Sequence, residues 1–184
     1  KTAAPAEKRE TKTMFEEIVR EVFADHDLLP SDVPRLDLYM DQVLTLFDEH
    51  LSDNKRSPDD KLMTKTMINN YSKEHLLMPV KGKKYTRQHI MQLLCIYQLK
   101  QGLLLSDIKA LTARGEEIDF EQCYQKFLEI KEGLRQYIPD ELAKAAGTVD
   151  LSDPQAVLSL CLSLTAMSTY MRRLCETVID SLPD

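Results

Sequence analysis

Five polar residues share one side of the stretch Lys65 to Lys73: Lys65, Asn69 and Lys73 at four-residue spacing, with Thr66 and Asn70 beside them. On a helix they form one face, while Ile68 and Tyr71, with Met67 alongside, form the apolar stripe. Lys and Thr can hold phosphate oxygens, and an Asn amide can bridge N6 and N7 of adenine in a bidentate pair. Asn also marks helix ends, so a cap or a solvated surface is the plainer reading of Asn69 and Asn70. Downstream, Lys81, Lys83, Lys84 and Arg87 cluster around Tyr85. The four cations suit contacts to a phosphate backbone, whereas Tyr85 suits packing better than stacking on a base.

Other chemistry is not encoded in a comparable pattern. His26, His50, His75 and His89 are scattered. Cys95, Cys123, Cys161 and Cys175 form no Cys-x-x-Cys and have no histidine at ligand spacing, so they read as buried, reduced thiols. Gly82 and Gly102 stand alone, which leaves no glycine-rich phosphate loop. Ser106 with Asp107 reads as a helix cap, and Glu116 with Glu117 as a solvated helix start. No enzyme, metal or cofactor is expected.

The charge distribution supports the basic face. The 184 residues carry a formal net charge of −6, which taken alone argues against a nucleic-acid binder. Residues 61–100, however, hold eight Lys and Arg against Glu74 alone, a net of +7, between flanks of −7 and −6. Acidic flanks would repel a phosphate backbone everywhere except at the basic segment.

Periodicity supplies the elements that would position these groups. Phe15, Ile18, Val19, Val22 and Phe23 recur at helical spacing, predicting a helix from Thr11 to about Asp25. A second helix carries Leu36, Tyr39, Met40, Val43, Leu44, Phe47 and Leu51 on one face, and Ser52 to Asp60 reads as a polar linker or surface loop. Thr64 caps a short helix to about Glu74. Val80 to Tyr85 reads as a tight β-hairpin turning at Gly82. Thr86 caps a helix burying Ile90, Leu93, Leu94, Ile96 and Tyr97 that Gly102 stops. Ser106 caps another short helix, Ile118 to Tyr137 forms a longer one that Pro139 ends, and a last helix runs from Pro154 to Ser181.

That order, with the run from Thr66 to Pro79, Lys83-Lys84-Tyr85-Thr86-Arg87, and Gly102 to Leu111, resembles the DNA-reading head of the MerR family. Asp37 to Val43 together with Met63 to Tyr71 resembles a bacterial family known as domain of unknown function eighteen-thirty-six, which brings a fold and no established role. The resemblance implies an all-α protein with a MerR-like winged helix-turn-helix head and a small β-hairpin wing, embedded in a larger helical bundle. Asn69-Asn70-Tyr71 stand where that head usually offers Arg-Tyr-Tyr, and Lys83 stands for its wing Arg. The expected organisation is a frayed or disordered segment 1–12, N-terminal helices 13–60, the head 61–114 and a C-terminal helical region 115–184.

In the last helix, Val157, Leu164, Met171 and Val178 fall seven apart, as do Leu160, Met167 and Leu174. This heptad-like seam reads either as the centre of a monomeric bundle or as a homodimer interface. The expectation is a cytoplasmic, dimeric transcriptional regulator that binds double-stranded DNA through Lys65, Thr66, Asn69, Asn70, Lys73, Lys81, Lys83, Lys84, Tyr85 and Arg87, with no membrane partner and no effector specified. The rival is a protein-interaction module on the same scaffold, its basic face binding an acidic partner.

Overall fold

The computed structural model describes residues 5–113, 115–146 and 149–183, and the chain divides into two units. The unit carrying the basic segment comprises His26–Glu129 and Glu176–Asp184. Its elements are strand β1 (Leu38–Tyr39), helices α2 (Met40–Leu51) and α3 (Lys65–Lys73), strand β2 (Lys84–Tyr85), helices α4 (Arg87–Leu99) and α5 (Leu105–Thr112), and the start of α6 (Phe120–Ala146). The remaining helices are α1 (Pro5–Val22) and α7 (Pro154–Asp180). Helix α6 runs from Phe120 to Ala146, so it contributes residues to both units.

Helix α2 begins later than its periodicity suggests. Leu36 and Tyr39 precede it and are 78% and 54% exposed, since Leu38 and Tyr39 are drawn into the sheet. The Tyr39 N–H donates to Gln42 Oε1 at 2.8 Å, closing the first helical turn. Residues 52–60 form an ordered loop in which the Asn54 amide makes two bonds to the His26 backbone, at 2.8 and 2.6 Å. Lys55 pairs with Asp48 at 2.6 Å. Helix α5 starts one residue before Ser106. Leu104 is its cap residue, and the Leu104 N–H donates to Asp107 Oδ2 at 3.1 Å.

Helix α4 is central to this unit. Ile90, Met91, Leu93, Leu94 and Ile96 are fully buried, and Phe47, Leu51, Ile68, Tyr71, Leu76, Ile108 and Tyr124 belong to the same core. A helix apolar on so many sides must be covered on several faces. Gln92 in its middle is 2% exposed and hydrogen-bonded at both ends of its amide.

The expected hairpin is not formed. β2 pairs antiparallel with β1, Leu38 opposite Tyr85 and Tyr39 opposite Lys84, and not with residues just before the turn. The turn itself is present: the Lys84 N–H reaches Lys81 O at 3.3 Å, with Gly82 at φ 61° and Lys83 at φ 59°. Two successive left-handed residues are the geometry of a type I′ turn. The arm before it cannot serve a ladder. Pro79 has no N–H, the Met78 N–H is taken by Gln92, and the carbonyls of Leu76 and Pro79 face Gln92 and His89.

The other unit comprises Lys1–Asp25 and Ile130–Cys175. α1 starts at Pro5, ahead of the expected Thr11 and within the segment expected to fray; residues 1–4 lie outside the described ones. Phe15 and Val19 are buried against Phe23, Leu142, Val149, Leu151 and Leu160. Asp25 accepts hydrogen bonds from Lys131 and Arg135. Partial burial works against its ionisation, but the bonds and charges of the two cations prevail and hold its carboxyl below the usual range. Pro139 does not end α6, which continues to Ala146. An interior proline costs a helix about 3 kcal/mol, and packing of Leu142 in the Phe15 cluster offsets part of that.

Among the described residues of α7 only Ile179 is buried. Leu164, Met167, Met171, Leu174 and Val178 of the seam are exposed. The thiols also differ from expectation. Cys123, Cys161 and Cys175 are exposed, and Cys95 is half-buried with burial, then the neighbouring Cys123, pushing its pKa up to about 12. Among the described residues no helix is long and apolar enough to cross a membrane, and no group of three or more His, Cys, Asp or Glu could hold a metal ion.

Candidate functional site

The open face of α3 takes shape from its two ends. At the start, Thr64 Oγ1 accepts the Met67 N–H at 3.1 Å, fixing the register that sends Ile68 and Tyr71 into the core. At the end, His75 adopts φ 58° and the Leu76 N–H returns to Tyr71 O at 2.8 Å. This is a left-handed helix stop, with histidine where glycine is usual. Lys65, Thr66, Asn69, Asn70 and Lys73 are all exposed between these anchors. Lys65 pairs with Asp41 of α2 at 2.6 Å, but both side chains are largely in water, where such a pair contributes little.

The segment after α3 is strapped to α4. Gln92 Oε1 accepts the Met78 N–H at 2.9 Å, and Gln92 Nε2 donates to Leu76 O at 2.9 Å. His89 Nδ1 faces the Thr86 N–H at 3.2 Å and the Thr86 hydroxyl at 2.7 Å. Its Nε2 faces Pro79 O at 3.4 Å. A neutral ring protonated on Nε2 meets all three contacts, accepting at Nδ1 and donating at Nε2. These bonds set where the chain leaves α3 and enters the Lys81–Lys84 turn. His89, a histidine that reads from sequence as a surface or capping residue, closes the capping box with Thr86. Gln92 was missed as a positioning residue because it lies in an apolar helical run without a motif of its own.

At the turn, Lys81, Lys83 and Lys84 are exposed. Lys84 Nζ lies 5.5 Å from the centre of the exposed Tyr39 ring, across the strand pair. Lys83 holds a left-handed backbone, a conformation that costs a non-glycine residue about 1 kcal/mol or more.

Two of the ten expected residues serve the fold. Tyr85 is 5% exposed, packs edge-on to His89 with ring centres 6.0 Å apart, and has its phenol pKa raised by burial. Arg87 makes a fork to Glu121, Nε to Oε2 at 2.8 Å and Nη2 to Oε1 at 2.7 Å. It also donates to Val33 O at 2.6 Å and Pro30 O at 2.7 Å. The bonds from Glu121 outweigh desolvation and raise the Arg87 pKa, and the same bonds lower that of Glu121. A guanidinium with four such bonds is occupied as a clamp between α4, α6 and the loop before β1. These four bonds give the arginine that was expected at a phosphate a structural role.

The structure thus brings together five groups on one helix face and presents three lysines on one turn. Such a surface offers point charges for phosphates and amides for base edges. The family described as Domain of unknown function (DUF1836) matches residues 28–127, a span that includes every one of these groups. Neither the curated proteins nor the solved structures give a match.

Proposed function

The chain belongs to this family of unknown function, and on that premise we propose that the matched segment is a MerR-like winged helix-turn-helix that binds duplex DNA as part of a transcriptional regulator. In this reading α2 and α3 are the helix pair, α3 lies in the major groove, and the Lys81–Lys84 turn is a short wing on the phosphate backbone. Asn69 and Asn70 reach base edges, while Lys65, Thr66, Lys73, Lys81, Lys83 and Lys84 hold phosphates. The observation that carries the proposal is Lys83. An exposed lysine occupies a left-handed turn position that glycine or asparagine fills more cheaply, and a use for its charge accounts for that strain.

The second half of the proposal is a homodimer through α7. Val157, Leu160, Leu164, Met167, Met171, Leu174 and Val178 follow a three-and-four spacing, and those from Leu164 onward are exposed. That spacing is the seam of a two-helix coiled coil. Two heads acting together would also overcome the repulsion of the acidic flanks.

Selection from a random duplex pool tests the function. The expected result is an enriched, two-fold-related sequence bound by two chains. A pool that shows no enrichment, with no retention of duplex at low salt, would instead favour an acidic protein partner for the same face.

A further inference from the structure

A cavity of about 400 Å³ opens between the ordered loop 54–62, the reverse side of α3 and the end of α4. Its apolar wall consists of Leu62, Met67, Tyr71 and Tyr97. The Tyr97 ring is fixed by an edge contact to Phe47, with ring centres 6.1 Å apart at 84°. Tyr71 is anchored as part of the core. A cavity of this size suits a small molecule, and an aromatic and thioether wall suits a flat ring.

The polar lining has a marked charge bias. Lys55, Arg56, Lys61 and Lys100 border the cavity, against a single acid, Asp60. Lys55 is committed to Asp48 at 2.6 Å, and Asp60 Oδ2 accepts the Ser57 N–H at 2.9 Å. Arg56, Lys61 and Lys100 are exposed, and among the described residues none has a carboxylate within 4.0 Å. Lys100 has only a 3.4 Å contact to Leu103 O. Three cations, two from loop 54–62 and one from the end of α4, therefore border one opening with an apolar side.

The geometry points to this cavity as a binding site for a small organic phosphate of mononucleotide size. A dianionic phosphate has enough oxygens and charge for an arginine and two lysines together, more than one carboxylate offers. The tyrosine-lined wall takes the ring that such a molecule carries. A phosphate of a duplex backbone would use the cations and leave the apolar wall empty, which is why a free ligand is the better occupant.

Met67 and Tyr71 are the reverse side of the helix that presents Asn69 and Asn70. Occupation of the cavity would therefore bear on α3 directly. That consequence rests on the proposed DNA-binding reading, whereas ligand binding itself does not.

Isothermal titration of the full chain with the four 5′-mononucleotides, with the corresponding nucleosides and with inorganic phosphate tests the site without DNA. At least one mononucleotide should bind with one-to-one stoichiometry, at least about tenfold more tightly than its nucleoside or phosphate alone. The Arg56→Ala/Lys61→Ala/Lys100→Ala variant should lose at least about tenfold in affinity. Lys109→Ala, outside the cavity, should change nothing, and thermal melting confirms that both variants are folded. Failure of all four mononucleotides to bind overturns the proposal, and so does equal binding of phosphate and mononucleotide. If the triple variant loses affinity for duplex DNA while the wild-type chain ignores mononucleotides, the cations are backbone anchors and the ligand site is wrong. If the wild type binds a mononucleotide but no duplex, the ligand site stands and the DNA reading falls.

Discussion

Replacing Arg87 separates a clamp from a phosphate contact. Arg87→Ala removes the fork to Glu121 and the bonds to Val33 O and Pro30 O, four contacts between 2.6 and 2.8 Å. Charge-assisted bonds contribute roughly 1.5–3 kcal/mol each when well protected. Here the two side chains are 28% and 33% exposed, and the four contacts share one guanidinium, so screening and non-additivity reduce the total. The expected loss is about 2–4 kcal/mol, or roughly 5–15 °C in Tm for a chain of this size. Arg87→Lys should recover less than half, because an ammonium cannot make the fork. A double-mutant cycle with Glu121→Gln should return a coupling of about 1–2 kcal/mol. The coupling should weaken in acid: the folded-state pKa of Glu121 is lowered, so its contribution is complete above the unfolded carboxyl pKa and is lost as pH falls through the folded value. Calorimetry gives the melting temperatures, and fluorescence anisotropy at several salt concentrations gives the DNA slope. If Arg87→Ala melts like the wild type while the slope falls by about one unit, Arg87 is a phosphate contact and the clamp account is wrong.

Ala at Asn69 or Asn70 should cost about 1–3 kcal/mol on the selected duplex and leave random duplex and Tm nearly unchanged; equal losses on both duplexes would demote the pair to scaffolding. His75→Gly should stabilise the unit by about 1 kcal/mol, because glycine adopts the left-handed stop of α3 without strain; a lower melting temperature would contradict that reading of the helix end. Asp25→Asn should cost about 1–2 kcal/mol at neutral pH, allowing for partial exposure of the ion pairs with Lys131 and Arg135. With its folded pKa lowered, the contribution of Asp25 is present above the unfolded value of about 3.9 and disappears as pH falls through the folded one. Urea unfolding of both proteins at descending pH should show the difference closing, and a constant gap down to pH ~2 would refute the assignment.

Local signals were readable in the chain because they act over a few residues. Thr64 caps α3, Gly82 turns the chain, and Pro154 opens α7, each where its own chemistry dictates. Pairing of Leu38 with Tyr85 was not readable, since two-residue strands carry no alternation and their partners lie far apart in sequence. The same long-range logic gives Tyr85 and Arg87 their structural roles. Residue type marks an arginine near lysines as a phosphate ligand, while only the fold shows Glu121 beside it. Pro139 misled in the opposite sense, because burial of Leu142 supports the turn beyond it. Arg56 was hidden by the acidic average of its surroundings and emerges only where loop 54–62 folds against α3 and α4.

The central claim is that the exposed α3 face and the Lys81–Lys84 turn hold duplex DNA. Its most direct test is the salt dependence of binding to random duplex for the wild type and for Lys83→Gly/Lys84→Gln. Glycine keeps the left-handed turn while removing the charge, so the variant should melt no lower than the wild type. The account predicts measurable wild-type binding whose log K falls with log salt, and a slope flatter by about two units in the variant. Identical slopes in the two proteins, or no binding of the wild type even at low salt, would contradict it.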